Sequence, residues 1–429
     1  MSTNATFIPR LARSPLESFE RKVDRDPAAV HPGDLRAGAG AANDIYAGTP
    51  YAGKKPHVCF VAPTTWPILT AAEGIQVVGG AEVQQSMIAP ALARRGYDVS
   101  MICLDYGQDD GVEVKGIKVY KTHTPEAGLP VVRFVYPRLT SVWSAMKRVD
   151  ADVYYQRTAA VYTGYVAAFA RKHGKKSIYA GASDVDFIPG REDIRYERDK
   201  KIFQWGVRHI DRVIAQNRAQ YDQLQEHYGI ESPVIQSCYQ PPAGARCDRN
   251  GYVLWVASVR PSKRVEHVLE IARRLPDVPF VIIGGPDPDR KSQEYFEGVK
   301  AAAAQLPNVK LTGFMPFHEA EGYFNGARVV LNTSRYEGFP NTFMQAWARG
   351  IPCVGFVDTG SKRDGIPVYD VVSEVSQATW KLERLMRDDA AWERASRTVR
   401  AHFEDCHSVD AVIDRYEEEL ALLVGAGAR

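Results

Sequence analysis

The sequence predicts an α/β protein made of two doubly wound domains, each built on a mostly parallel sheet. Short apolar segments alternate with segments of helical length along most of the chain. Such alternation is typical of βαβ units, whose strands are buried on both faces. The pattern starts again near residue 245, after a stretch rich in turn residues, and a length of 429 residues suits two domains.

The first half of the chain begins with a region that lacks the strand pattern. Residues 1–53 are rich in Ala, Gly, Pro, Asp and Arg without a sustained period, so we expect a poorly ordered arm. Residues 54–245 are predicted to form an N-terminal Rossmann-like domain. Its strands are expected at 57–62, 97–104, 117–120, 153–155, 177–180 and 212–215.

The second half repeats this organisation. A linker over 240–251 is indicated by its Pro, Gly, Asn and Asp residues. Residues 246–408 are predicted to form the second domain, with a helix near 265–275. Its strands are expected at 252–257, 280–283, 309–312, 328–331 and 351–356. Two such domains facing each other would leave a cleft between the C-terminal ends of their strands, a usual site for a nucleotide-like ligand.

Composition excludes several classes of function. The net charge of +2 argues against bulk nucleic-acid binding. None of the six cysteines forms a CxxC pair, so we expect reduced thiols and no metal site. No secretion signal or membrane span is expected, which suggests a cytoplasmic protein. Residues 130–220 contain 17 Lys and Arg but 9 Asp and Glu. This excess of positive charge suits a solvated surface, or a face for anionic lipid or a phosphate-bearing acceptor.

One segment combines a carboxylate with a helix start. Residues 334–350 follow the strand predicted at 328–331 and put Glu337 at a turn before an amphipathic helix. The backbone N–H groups where that helix begins, at Asn341 and Thr342, can hold an anion. Glu337 can accept hydrogen bonds from sugar hydroxyls, or it can simply complement the helix dipole.

Gln345 lies eight positions after Glu337, about two helical turns further on. Its amide can pair with ribose hydroxyls as donor or acceptor. A purely structural role for this side chain is the alternative.

Two other loops suit phosphate groups. Arg260 and Lys263 directly follow the strand at 252–257, where cations favour a diphosphate, although a solvated loop would have the same composition. Gly79 and Gly80 lie between the first strand and the first helix. Because they lack a Cβ atom, a phosphate can approach their backbone closely, or they can form a plain turn.

Three polar residues follow strands of the first domain. Asp184 and Asp186 come after the strand at 177–180 and can orient a substrate hydroxyl or cap a helix. Arg157 follows the strand at 153–155. It can meet an acceptor phosphate or pair with a nearby acid.

Taken together, these motifs resemble glycosyltransferase family four, the retaining nucleotide-sugar enzymes of the GT-B fold. The resemblance spans residues 56–423 and is strongest in the second domain. The run Glu-Gly-Phe-Pro-Asn-Thr-Phe-Met-Gln from Glu337 is similar to the paired-acid motif of the family. Arg260 with Lys263 is similar to its basic pair, and the run Gly-Gly-Ala-Glu from Gly79 to its phosphate loop. The final helix, near 409–424, fits the family habit of crossing back onto the first domain.

The resemblance implies a role for each of these residues. Catalytic roles are expected for Glu337, Arg260, Lys263 and Asp184. Donor-binding roles are expected for Gly79, Gly80, Arg260, Lys263, Gly338, Phe339, Asn341, Thr342 and Gln345. Arg157 and Asp186 are expected on the acceptor side.

The sequence departs from the family pattern at three places. Gln345 stands where the family usually has a second Glu, and Ser258 stands at the usual Arg position. Many members also carry a His after the strand that corresponds to 177–180. Here the run Gly181-Ala-Ser-Asp184 follows that strand, and we expect Asp184 to take the role of the histidine.

The implied activity is transfer of a hexose from a nucleoside-diphosphate sugar to a saccharide or lipid-linked oligosaccharide. Bacterial surface or exopolysaccharide synthesis is a suitable setting, with peripheral contact at the inner face of the plasma membrane. No cofactor or metal is expected, because cations and amides can neutralise the leaving diphosphate.

Two alternatives remain from the sequence. One is a GT-B sugar-nucleotide epimerase or phosphorylase, which would need further acids and a His, or a pyridoxal-binding Lys. The other is a binding partner that kept the fold and lost activity, which Gln345 keeps open.

Overall fold

A computed structural model describes residues 45–46, 49–70, 79–128, 134–337 and 339–425. These residues divide into two compact units, which are described separately below. The first unit contains the described residues up to Gln240 together with those from Glu404 onward, and the second contains Pro241–Phe403. The sequence placed these divisions near residues 245 and 408.

The first unit is a seven-stranded sheet covered by helices. Its strands are β1 (Val58–Val61), β2 (Val99–Cys103), β3 (Val112–Val114), β4 (Ile117–Lys121), β5 (Val153–Arg157), β6 (Lys176–Ala180) and β7 (Arg212–Ile214). Its helices are α1 (Trp66–Leu69), α2 (Gly80–Arg94), α3 (Thr140–Val149), α4 (Val161–His173), α5 (Glu197–His209) and α6 (Arg218–Tyr228). The strand order is β3-β4-β2-β1-β5-β6-β7, and all neighbours are parallel except β3 and β4.

Both faces of the first sheet are buried. Val58 and Phe60 of β1 belong to one apolar core, whereas Cys59 and Val61 belong to a second core on the opposite face. Successive side chains of a strand point to opposite faces, so a continuous apolar run is what a strand between two helical layers requires.

The second unit is a six-stranded sheet that is parallel throughout. Its strands are β8 (Tyr252–Val256), β9 (Phe280–Ile283), β10 (Val309–Leu311), β11 (Ala327–Asn332), β12 (Cys353–Gly355) and β15 (Asp370–Val371), and a separate hairpin joins β13 (Lys362–Arg363) to β14 (Ile366–Pro367). Its helices are α7 (Val265–Arg274), α8 (Arg290–Ala303), α9 (Phe317–Phe324), α10 (Asn341–Trp347), α11 (Val375–Arg387) and α12 (Asp389–Cys406), and the division between the units falls in the last turn of α12. The strand order is β10-β9-β8-β11-β12-β15.

The last helix, α13 (Val409–Gly425), lies in the first unit. Val412, Ile413 and Leu420 on this helix join the core that contains Val58 and Phe60. The amphipathic spacing of these side chains explains why the helix is buried along one side.

Part of the N-terminal region that the sequence predicts as an arm packs against the first unit, and Tyr51 contacts its core. Tyr46, placed in the predicted arm of residues 1–53, is buried in the first core, and its hydroxyl lies 2.6 Å from that of Tyr97. Residues 1–44 and 47–48 lie outside the described residues.

Helices α4 and α5 cross at two glycines. A Cβ atom on Gly164 would lie 2.4 Å from Cγ2 of Ile202, and one on Gly206 would lie 2.6 Å from the backbone N of Gly164. The two backbones therefore approach more closely than any side chain would allow.

Candidate active site in the second unit

Each sheet has one point at which its connections change direction, and several of the predicted site residues follow the strands that flank it. In the second unit the chain runs from β8 to β9 and β10 on one side, then crosses to β11 on the other side of β8. Ligands of open α/β sheets bind outside the C-terminal ends of the strands at such a point. Lys263 follows β8 and Glu337 follows β11, so both belong to this position.

Lys263 and Glu337 are in direct contact although 74 residues separate them in sequence. Nζ of Lys263 lies 2.5 Å from Oε1 of Glu337, and the side chains are 12% and 19% exposed. The hydroxyl of Ser334 also donates to Oε1, at 2.6 Å, and the amide of Asn332 approaches it at 3.5 Å. A cation and a carboxylate are thus held together at the end of two adjacent strands.

The two loops that carry this pair are joined by hydrogen bonds. Arg264 donates from Nε to the backbone oxygen of Thr333 at 2.7 Å and from Nη2 to that of Ser334 at 2.9 Å. The hydroxyl of Thr333 donates to the backbone oxygen of Lys263 at 2.6 Å. Arg264 adopts a left-handed backbone, with φ of 52°, which a non-glycine residue adopts only at some cost. These bonds hold Lys263 beside Glu337.

Arg260 does not join this cluster. Its Nη1 lies 3.1 Å from Oδ2 of Asp287, and the side chain is about half exposed. It lines a surface cavity of about 400 Å³ together with Ser262, Lys291 and Arg335. The turn after β8 thus directs Arg260 and Lys263 to different partners, and a shared role of the two cations on a diphosphate stays a prediction.

The helix start after Glu337 forms where the sequence predicts it. Helix α10 begins at Asn341, which is exposed, and Thr342 is half-buried. The ring of Phe339 packs edge-on against Trp347, with 5.8 Å between ring centroids. Helix α10 has only seven residues, so anion binding by its first amides stays a prediction. Gly338 lies outside the described residues.

Gln345 is buried on α10 and bonded to a carboxylate from α9. Its Nε2 donates to Oε2 of Glu321 at 2.8 Å, and its backbone oxygen accepts from Nη1 of Arg349 at 2.8 Å. Nη2 of Arg349 donates to Oε1 of Glu321 at 2.6 Å, and the Arg349 side chain is fully buried. The position where the resemblance expects an acid thus has an acid as its neighbour.

In the first unit, the change of direction lies between β1 and β5. Gly79 and Gly80, at the start of α2, follow β1, and Arg157 ends β5. The Glu82 carboxylate folds back over Gly79, so that a Cβ on Gly79 would collide with it, and the carboxylate accepts from the hydroxyl of Thr64 at 2.7 Å. An acidic side chain therefore already lies at the positive end of this helix.

Arg157 is a buried cation with weak hydrogen bonds. It is 2% exposed, and its nearest acceptors are the hydroxyls of Tyr155 and Ser237, at 3.5 and 3.4 Å. Nε of Arg157 has no partner among the described residues. The Ser237 hydroxyl also accepts from Nε2 of Gln216 at 3.1 Å, so several donors converge near Arg157.

The two aspartates after β6 hold loops. Oδ2 of Asp186 accepts from the backbone N of Ala182 at 2.8 Å and from the hydroxyl of Tyr179 at 3.1 Å, and burial raises the pKa of the Asp186 carboxyl. This carboxylate is buried and shapes its own turn, and the acceptor-side role of Asp186 stays a prediction. Asp184 is half-buried and accepts from Nδ2 of Asn217 at 2.8 Å, which fixes it beside the start of α6.

Sequence reasoning missed the side chains that support the site. Arg264 was visible only as part of a basic run. Glu321 and Arg349 gave no local signal, because they lie 28 positions apart, Glu321 on α9 and Arg349 in the turn that follows α10. In the described ranges, no group of three His, Cys, Asp or Glu side chains is arranged to hold a metal ion, and no helix is long and apolar enough to cross a membrane.

Comparison with known families covers both units. The family model described as Glycosyltransferase Family 4 matches residues 78–236, and the one described as Glycosyl transferases group 1 matches residues 250–388. Together these matches take in well over half of the chain. The chain belongs to glycosyltransferase family four. The second match includes both members of the Lys263–Glu337 contact.

Curated relatives of this family four protein are distant. It is 27% identical over 183 residues to the D-inositol 3-phosphate glycosyltransferase of Mycolicibacterium smegmatis, and 28% identical over 177 residues to that of Mycolicibacterium gilvum. Each alignment covers 39% of this chain, and the chain spans 40% of the length of each relative.

Solved structures show that this family four protein has the GT-B fold. Sucrose-phosphate synthase from Thermosynechococcus elongatus superposes with a TM-score of 0.64 at 16% identity, over 87% of this chain and 100% of that one. Anabaena HepE in complex with UDP and glucose gives a TM-score of 0.60 at 15% identity, over 85% of this chain and 99% of that one.

Proposed function

We propose that this protein is a retaining hexosyltransferase that uses a nucleoside-diphosphate sugar. The acceptor is a saccharide or a lipid-linked oligosaccharide, and the setting is bacterial surface or exopolysaccharide synthesis at the cytoplasmic side. The observation that carries the proposal is the contact between Lys263 and Glu337 at the change of direction between β8 and β11. Family membership and the UDP complex of Anabaena HepE support a nucleotide sugar as donor.

The Lys263–Glu337 pair suits both parts of such a donor. Departure of a diphosphate leaves negative charge on its oxygens, and a preorganised cation such as Lys263 stabilises that charge as it develops. The carboxylate of Glu337 accepts hydrogen bonds from sugar hydroxyls and so orients the ring. Lys263 and Glu337 bond to each other, and binding of the donor would replace this ion pair with one contact to each group.

The transfer breaks the bond between the anomeric carbon and the diphosphate oxygen. The acceptor oxygen forms the new bond to the same face of that carbon, and the acceptor proton passes to an oxygen of the departing diphosphate. This step uses no protein base and no metal ion. Lys263 contributes by holding the diphosphate.

On the acceptor side we assign Arg157 to an anionic group of the acceptor. A guanidinium is always charged, and a buried one normally has an anionic partner. Among the described residues, Arg157 makes two long hydrogen bonds, both to hydroxyls, and it interacts electrostatically with the carboxyl of Asp186. A phosphate on the acceptor would complete its coordination. The naming of both curated relatives for an inositol phosphate acceptor supports this proposal.

A basic face of the first unit is proposed to contact the membrane. Arg198, Lys201, Trp205 and Arg208 recur at helical spacing along α5, and all four are exposed. Cations attract anionic headgroups, and an exposed Trp favours the membrane interface. We expect co-sedimentation with phosphatidylglycerol vesicles, which Lys201→Glu with Arg208→Glu abolishes and Lys300→Glu on α8 preserves. Equal binding to pure phosphatidylcholine vesicles would refute this face.

The donor proposal is tested with a panel of UDP-, ADP- and GDP-sugars. At least one should raise the melting temperature of the protein, since a ligand that binds only the folded state stabilises it. The same sugar should be hydrolysed slowly. Lys263→Ala and Glu337→Ala should lose hydrolysis, whereas Lys300→Ala, an exposed lysine on α8, should retain it.

Two outcomes would count against the proposal in different ways. If no nucleotide sugar binds, the assignment of the donor site is wrong. If one binds tightly but is never turned over with any acceptor or with water, the protein is a binding partner rather than an enzyme.

A further inference from the structure

The buried cluster of Glu321, Gln345 and Arg349 has a specific consequence for the donor site. Glu321 is 9% exposed and Gln345 is 5% exposed, so their hydrogen bond lies in the protein interior. The carboxylate of Glu321 accepts from Gln345 with one oxygen and from Arg349 with the other. The three side chains together carry no net charge.

This arrangement fixes which way the Gln345 amide faces. A carboxylate can only accept hydrogen bonds, so the amide group that points to Glu321 must be the NH₂ group. The carbonyl oxygen Oε1 then lies on the other side of the amide, and no described residue donates to it. Gln345 can therefore offer a ligand a hydrogen-bond acceptor, its Oε1 atom.

The same arrangement explains why position 345 is not an acid in this chain. A second carboxylate at 345 would lie about as far from Glu321 as the amide does now, 2.8 Å, with the interior around both. Like charges at such a distance cannot both ionise, and one of the two would have to hold a proton. Glu321 on α9 carries the negative charge, and the neutral amide of Gln345 on α10 donates a hydrogen bond to it without repulsion.

We propose that Glu321 is a positioning residue that turns the Gln345 amide so that its oxygen accepts a hydrogen bond from a ribose hydroxyl of the donor. Gln345 then offers the nucleotide the same kind of group as a carboxylate oxygen, without charge. This inference rests on the proposed nucleotide-sugar donor. It predicts that Gln345→Glu does not improve the site, because the acid already present at 321 opposes it.

The experiment compares nucleotides that differ only in one hydroxyl. Binding of UDP, ADP and GDP is measured by calorimetry, and the tightest is compared with its 2′-deoxy and 3′-deoxy counterparts. Loss of one neutral hydrogen bond weakens binding by about three- to tenfold. The wild type should show that ratio for one of the deoxy forms, and Glu321→Gln should reduce it to nearly one, because its Gln345 amide is free to turn over.

Three variants complete the test. Glu319→Gln removes a charge from the exposed side of the same helix and should keep the wild-type ratio. Gln345→Glu should lower the melting temperature and weaken nucleotide binding. The exchange Glu321→Gln with Gln345→Glu restores one amide facing one carboxylate, and should recover both the melting temperature and the ribose preference.

The outcomes separate this inference from the donor proposal. If no nucleotide binds the wild type, the donor proposal fails. If nucleotides bind and Glu321→Gln, still folded by circular dichroism, keeps the ribose preference, the role of Glu321 is wrong. A Gln345→Glu variant that binds more tightly than wild type with an unchanged melting temperature would also overturn it.

Discussion

The contact between Lys263 and Glu337 makes a quantitative prediction about their substitution. The two side chains are mostly buried and 2.5 Å apart. A hydrogen bond to a charged group contributes about 1.5–3 kcal/mol to stability. Lys263→Met leaves the Glu337 carboxylate without its cation, and Glu337→Gln leaves the Lys263 ammonium without its anion. We expect each variant to lose roughly that amount of unfolding free energy.

The double variant should cost less than the sum of the two single variants. When both groups are replaced, no charge is left without its partner. Residues in direct contact show coupling energies of about 0.5–3 kcal/mol. The free energies of unfolding are measured by urea denaturation of the four proteins without ligand. Additive losses, within experimental error, would show that the contact does not form and would refute the structural basis of the donor site.

The same four proteins give a kinetic result. Loss of one preorganised group that stabilises a developing anion lowers kcat by about 10²–10³-fold. We expect Lys263→Met to do so in donor hydrolysis. Arg260→Gln should lower kcat/KM much less, because Arg260 is half exposed and bonds to Asp287 rather than to the Lys263–Glu337 pair. A loss of activity as large as that of Lys263→Met would show that Arg260 takes part in catalysis.

Three further predictions concern stability. Arg349→Met removes a cation from the buried Glu321 and should cost about 3 kcal/mol or more in urea denaturation, with partial recovery on adding Glu321→Gln. Gly164→Ala should cost about 1–3 kcal/mol, because its Cβ would overlap Ile202; an unchanged midpoint would refute the close helix crossing. Burial lowers the pKa of His57 below its ordinary value of 6.5, so its neutral form favours folding above pH 6.5, and this contribution is lost as pH falls through that value. His57→Gln should therefore show a smaller loss of unfolding free energy between about pH 7 and pH 5.5 than the wild type.

The sequence predicts most of the fold because the strands are buried on both faces. Apolar runs such as the one at β8 have no other stable placement. Strand β3 escaped prediction because its middle residue, Glu113, is polar and exposed. The turn of the β13–β14 hairpin has residues typical of a two-residue hairpin loop. Asp364 and Gly365 both have positive φ, as a two-residue hairpin turn requires.

The site is predictable in part for the same reason. Lys263 and Glu337 each follow a strand, and they meet because β8 and β11 are neighbours, which only the strand order decides. Arg260 also follows β8, but the turn directs it to Asp287. The bond from Gln345 to Glu321 depends on the packing of α9 against α10, which no short-range pattern encodes.

The hydrogen bonds of Arg264 have a consequence for how strongly a donor can bind. Freezing a flexible loop during binding costs conformational entropy, roughly 1–2 kcal/mol for each backbone residue that is ordered. Here the guanidinium of Arg264 fastens the loop after β8 to the carbonyls of Thr333 and Ser334 before any ligand arrives. The entropy cost of ordering this loop therefore belongs to folding and does not reduce the affinity for the donor. Arg264→Gly would relieve the left-handed backbone yet release the loop, so the protein would gain local freedom and lose affinity for its donor.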